Sequence, residues 1–145
     1  MVQNVNPTFV KTPNWGAVQI TTGTGSSTIV TIYTGGTNGS KINSLFVTAN
    51  TTAAFDIQWG VSSGGTFYLY DAISVPAAAG SSNLTPPVSL MSASAVPGLA
   101  IDSDGNPFIF LPSSAYSLQA KSPATSSTWT TGTTMNIIAP SIGDF

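Results

Sequence analysis

The stretch Ala54-Phe-Asp-Ile-Gln-Trp-Gly60, the turn Gly60-Val-Ser-Ser-Gly-Gly65 that follows it, and the segment Thr66-Phe-Tyr-Leu-Tyr-Asp-Ala-Ile-Ser-Val75 decide the fold class of this chain. In the first segment Phe55, Ile57 and Trp59 alternate with Asp56 and Gln58. That period of two marks a strand with one buried face. In the last segment Phe67, Leu69, Ile73 and Val75 are expected to share a face, interrupted by Asp71, while Tyr68 and Tyr70 point the other way. Two alternating segments joined by a Gly-rich turn predict an antiparallel hairpin.

Outward from this hairpin the same pattern recurs. Segments 15–20, 28–33 and 41–49 read as three upstream strands, separated by turn-forming runs such as Thr34-Gly-Gly-Thr-Asn-Gly-Ser40. Downstream, 100–111 reads as a tight hairpin turning at Asp104-Gly105, and 115–121 and 133–139 alternate again. About eight or nine short strands, with no long helical period, predict an all-β fold: a single β-sandwich, jelly-roll-like, over residues 15–145. Residues 1–14, with Pro7, Pro13 and no alternation, read as an extended N-terminal arm. Residues 76–98 read as a long Pro/Ala/Ser connection, functional or holding a short element around Val88-Ser-Leu-Met91.

Composition narrows the function. Only eight of 145 residues are charged, three Lys and five Asp, and the chain has no Arg, Glu, His or Cys. That is 6% charge, against roughly 25% in an ordinary domain. Polarity comes instead from 20 Thr and 20 Ser. Imidazole bases, thiol nucleophiles and the usual zinc or iron–sulfur ligands are therefore missing. Three scattered lysines, Lys11, Lys41 and Lys121, give a nucleic-acid groove little to be built from. The longest apolar runs are a few residues, too short to span a bilayer as a helix, and the start lacks a basic, apolar leader. The expectation is a product made in the cytoplasm and soluble there. A surface so poor in charge suits permanent contact with other protein.

No constellation predicts catalysis. Asp102-Ser-Asp-Gly-Asn106 spaces Asp102, Asp104 and Asn106 like calcium ligands, but its Gly falls at the fourth loop position and Ser113 stands where a bidentate Glu would be needed. The plain reading is a hairpin turn. Asp56 and Asp71 are expected on different faces, which argues against a carboxylate pair. Serine nucleophiles have no His base. The chain is read as no enzyme and as needing no cofactor. Candidate contact residues are the large side chains outside the expected core: Pro7 and Phe9 on the arm, Trp15, Tyr68, Tyr70 and Trp129. Trp59 reads as core, and Trp129, in a Ser/Thr-rich stretch, as the more exposed tryptophan.

Several segments together carry a family likeness: Gly39-Ser-Lys-Ile-Asn-Ser-Leu-Phe-Val-Thr48, the hairpin after it, Val96-Pro-Gly-Leu-Ala-Ile-Asp-Ser-Asp-Gly-Asn-Pro-Phe-Ile-Phe-Leu-Pro112, Tyr116-Ser-Leu-Gln-Ala120 and the ending Gly143-Asp-Phe145. Over residues 39–145 the chain resembles small β-sandwich virion proteins of tailed bacteriophages, most of all head decoration or cement proteins. The resemblance implies a homo-oligomer, a trimer by preference, that binds the major capsid protein on the outer surface of an assembled shell and ties capsomers together. It also implies that the arm reaches a neighbour, and that no residue is catalytic. Two other readings stay open: a glycan-binding module of a fibre or tail, and a tail or connector component.

Overall fold

A computed structural model describes residues 10–92 and 94–145. Among them the chain is all-β, built of antiparallel strands with one 3-10 turn at Ser126–Thr128 and no α-helix. Eleven strands follow in order: β1 (Thr12–Thr21), β2 (Ile29–Thr34), β3 (Ser40–Ile42), β4 (Phe46–Ala49), β5 (Phe55–Ser63), β6 (Thr66–Val75), β7 (Val88–Ser89), β8 (Ala100–Ile101), β9 (Pro107–Leu111), β10 (Tyr116–Lys121) and β11 (Thr134–Asp144). One sheet runs β7-β4-β11-β3-β9-β8 with β1 also on β11; the other runs β2-β10-β5-β6. Apolar residues of both sheets make a single buried cluster, with Ile57, Trp59, Leu118, Val47, Met135 and Ile137 fully enclosed.

Strand β11 organises the first sheet. Met135, Ile137 and Ala139 point inward, the chain then bulges at Pro140 and Ser141, and Ile142 is buried again. Opposite this bulge the register jumps between Asn14 and Gly16 of β1. Proline has no N–H to give a ladder, so a bulge is where a strand tolerates it. The same break splits the expected strand 41–49 in two. β4 pairs the first half of β11 and β3 its last residues, while Asn43 bridges the gap through its N–H to the Ser141 carbonyl, 3.0 Å.

A second bulge reshapes the founding hairpin. Trp59 pairs with Asp71 but Gly60 pairs with Leu69, so Tyr70 is the extra residue. Residues opposite each other share a face. Tyr68 therefore lies on the Val61 side, as Ile73 and Val75 lie on the Ile57 and Phe55 side, and Phe67 and Leu69 turn outward. The strict alternation expected for 66–75 fails at this point. Asp56 pairs with Ser74, and so lies on the opposite face from Asp71.

The remaining differences concern chain ends and the long connection. Thr12, Pro13 and Asn14, expected in the arm, are the first residues of β1, paired with Asp144, Gly143 and Ile142. The 76–98 segment is pinned to the first sheet: Ala49 N–H donates to the Ala79 carbonyl (2.7 Å) and Leu90 N–H to the Leu45 carbonyl (2.9 Å). Ala79, Leu90, Met91 and Val96 are buried, so this connection caps the core instead of ranging free.

The two sheets meet where β1 lies against β2. A Cβ on Gly16 would stand 2.7 Å from the Ile32 carbonyl oxygen and 3.0 Å from the Tyr33 Cβ, so the contact is backbone on backbone. Gly16→Ala should therefore lower stability by about 1–3 kcal/mol through forced separation of the sheets. Gly23→Ala, whose Cβ would meet nothing nearer than Thr21 Oγ1 at 3.6 Å, should leave stability unchanged or raise it. Urea midpoints with unchanged slopes check both.

Candidate functional site

The polar centre of the molecule is a cluster that joins both sheets. Asp144 ends β11 on the same inward side as Ile142, because the bulge at Pro140 has shifted the alternation. Its carboxylate accepts hydrogen bonds from Ser40 Oγ of β3 (2.5 Å), from Tyr33 Oη of β2 (2.8 Å to either oxygen) and from Asn14 Nδ2 of β1 (3.2 Å). Asn14 Nδ2 also donates to Tyr33 Oη, 3.1 Å, and Gly36 N–H donates to Ser40 Oγ, 2.7 Å. Burial alone would raise the Asp144 carboxyl; the bonds from Ser40, Tyr33 and Asn14 outweigh it and hold the group below the ordinary carboxylate range. The Tyr33 hydroxyl is pushed up, by burial first and then by its bond to Asp144. This is charge-assisted clamping of strand ends.

The calcium-like loop is organised around its own backbone. Asp102 Oδ1 accepts the N–H groups of Asp104 (3.0 Å) and Asn106 (2.8 Å), and Gly105 adopts φ +84°. Those bonds, the one from Asn106 foremost, hold the Asp102 carboxyl below its usual range, with Lys41 Nζ adding an ion-pair contact at 3.9 Å. Asp102 thus serves the turn between β8 and β9, the role expected from the sequence. Among the described residues no group of three or more His, Cys, Asp or Glu is placed to hold a metal ion.

The contact candidates separate sharply. Trp15 stands 67% exposed on β1 opposite the β11 bulge, on a shallow shelf with Pro13, Asn14, Ile138 and Pro140. Trp129, expected to be the more exposed tryptophan, is half-buried and packs its ring 5.4 Å from Phe55. Trp59 is fully buried, as expected. Tyr68 and Tyr70 are both exposed on β6, and Tyr70 meets Trp59 edge-on at 5.5 Å. Pro7 and Phe9 lie outside the described residues. The structure therefore does not bring the candidates into one site: Trp15 belongs to the edge where the sheets meet, and the tyrosines to β6.

The sequence reading missed two features. Asp144 was one of five Asp, and its signal was Pro140: a bulge there turns Ile142 and Asp144 inward together. Leu84, 93% exposed at the tip of the 76–98 segment, carries no sequence signal of its own. Comparison of the chain with protein-family models, curated proteins and solved structures finds no match in any of the three. No helix among the described residues is long and apolar enough to cross a membrane.

Asp144→Asn should cost about 1–2 kcal/mol at neutral pH, since the amide cannot satisfy three donors at once. The sign of the pH dependence follows from the depressed folded value. The carboxylate stabilises the fold above the unfolded pKa of about 3.9, and that contribution is lost as pH falls through the lower folded pKa. The gap between wild type and variant in urea midpoint should thus be full at pH 7 and shrink in strong acid.

Proposed function

We propose that this chain is a structural component of a virion, a head decoration protein that binds the outer surface of an assembled phage capsid and bridges neighbouring capsomers. On this reading the two curled sheets form one jelly-roll-like sandwich. The protein self-associates, is made in the host cytoplasm and ends on the particle surface, without catalytic activity. The observation that carries the reading is bare apolar surface on a domain with almost no charge: Leu84 is 93% exposed on a segment otherwise pinned to the sheet. Apolar and backbone contacts are little weakened by salt. Binding to the assembled shell alone stabilises it by mass action, by about 2.7 kcal/mol at a concentration a hundredfold above Kd.

The test is a heat challenge of shells with and without the protein, scored by melting temperature. A rise that Leu84→Asp abolishes, while the isolated variant melts like wild type, supports the proposal; equal melting temperatures overturn it. A glycan-binding function has one observation in its favour, the Trp15 shelf, since a flat indole beside polar Asn14 suits stacking against a sugar ring. That reading requires a sugar-dependent change in tryptophan fluorescence that vanishes in Trp15→Phe. A sugar response that persists in the variant, or none in wild type, rejects it.

A further inference from the structure

The sheets touch along one side, at β1 and β2, and part along the other. There a cleft of about 480 Å³ opens between β6 and the outer edge of β9, lined by Leu69, Tyr70, Val96, Leu99, Phe108 and Phe110. β6 is the last strand of its sheet, and its outer edge pairs with nothing among the described residues. β8 pairs β9 only at Pro107 and Phe108, leaving the rest of that edge without a strand partner among the described residues. In the first sheet the terminal strands β7 and β8 are two residues each and the ten-residue β1 lies against β2, whereas β6, ending the second sheet, has ten residues and no such neighbour. A long free edge with apolar side chains is a template for pairing.

We infer that a second copy of this chain docks along the β6 edge, pairing antiparallel with Thr66–Tyr70 of the first across a twofold axis near Tyr68. Three observations select this occupant. The first is chemical: the cleft lining contains no charged side chain, and neither does Thr66–Tyr70, so the partner that fits is itself uncharged and extended. An antiparallel edge is complementary to itself, because its donors and acceptors alternate in both directions.

The second is area. Tyr68, Leu69, Tyr70 and Phe110 are 55%, 52%, 40% and 49% exposed. With about 150–250 Å² for each of the three aromatic side chains and the Leu69 side chain besides, they leave on the order of 400 Å² of apolar surface. That matches the apolar centre of an interface of about 800 Å² per partner, strand backbone and polar rim supplying the rest.

The third is the limit set on the pairing. Asp71 Oδ1 accepts the Ala72 N–H at 2.8 Å, closing the edge just beyond the bulge. Centred on Tyr68, the two Asp71 carboxylates sit six residues apart along the pair, about 20 Å, beyond the screening length of about 8 Å. The contact is isologous and closes on two copies. The resemblance to decoration proteins implies a trimer by preference; this edge argues for two copies instead and does not depend on a shell.

The experiment is the solution mass of the full chain without shells. Wild type should sediment at about 30 kDa, twice the 14.8 kDa chain, and Leu69→Lys should weaken association at least a hundredfold while keeping the circular dichroism and melting of a folded protein. The absence of cysteine allows a second readout that does not depend on a charge being tolerated. Tyr68→Cys should form a disulfide between copies under mild oxidation, because directly opposed residues lie within bridging distance, and Leu84→Cys should not. A monomeric or trimeric wild type, a dimer indifferent to Leu69→Lys, or no crosslink at position 68 overturns the inference.

Discussion

Asp144 sits where four strands converge, and three of them reach its carboxylate through side chains: Asn14 from β1, Tyr33 from β2 and Ser40 from β3. β2 belongs to one sheet and β1, β3 and β11 to the other, so this single anion ties the sheets where their backbones are closest. The Gly16 contact and the Asp144 cluster depend on each other. Without a side chain at Gly16, β2 comes near enough for Tyr33 to reach across; without the carboxylate, Tyr33 and Asn14 would lose their shared acceptor. A partly buried anion is costly unless each lone pair is used, which explains the density of hydroxyl and amide donors around it.

The rest of the molecule is held with little help from charge. The single ion pair among the described residues is the loose Lys41–Asp102 contact, and Lys41 also lies over the Phe108 ring at 4.5 Å. Cohesion comes from the enclosed aliphatic and aromatic side chains and from β-ladders, supplemented by short polar side-chain bonds such as Gln119 Nε2 to Thr31 Oγ1 and the Thr134 N–H to Asn50 Oδ1. Such short polar side chains satisfy backbone and one another without the ordering cost of long charged ones. The resulting surface is neutral enough for close contact with another neutral surface.

Much of this was legible in the sequence, and the failures share a cause. Alternation located the β5–β6 hairpin, the turn at Asp104-Gly105 and the buried face of Met135, Ile137 and Ala139, because period-two burial is written directly in residue order. Bulges are not. The extra residue at Tyr70 turned Phe67 and Leu69 away from the side that Ile73 and Val75 occupy, and the one at Pro140 hid Asp144 from view. Segment 76–98 looked irregular because its buried residues, Ala79, Leu90, Met91 and Val96, are spaced without a period. Ala79 and Leu90 are fixed by backbone bonds to Ala49 and Leu45, and the segment's one ladder, β7 on β4, is only two residues long. Trp129 read as exposed because its neighbours are polar, yet packing against Phe55 is a matter of distance in space.

The scarcity of charge also bears on how sheet edges are kept from unwanted pairing. The usual device is a lysine on the edge, and a chain with three lysines has few to spend. The other devices are visible in turn. β7 and β8 are too short to template anything, and β1 is drawn against β2 by Gly16. β6 receives only partial treatment: a bulge at Tyr70 and the Asp71 carboxylate closing the Ala72 N–H interrupt its edge at residues 70–72, while the first half carries exposed Tyr68 and Leu69. An edge guarded at one point in its middle differs from an edge left bare. Protection confined to residues 70–72 leaves Thr66–Tyr70 open, and it would set the limit of the proposed twofold pairing at the point where the two Asp71 carboxylates stay well apart.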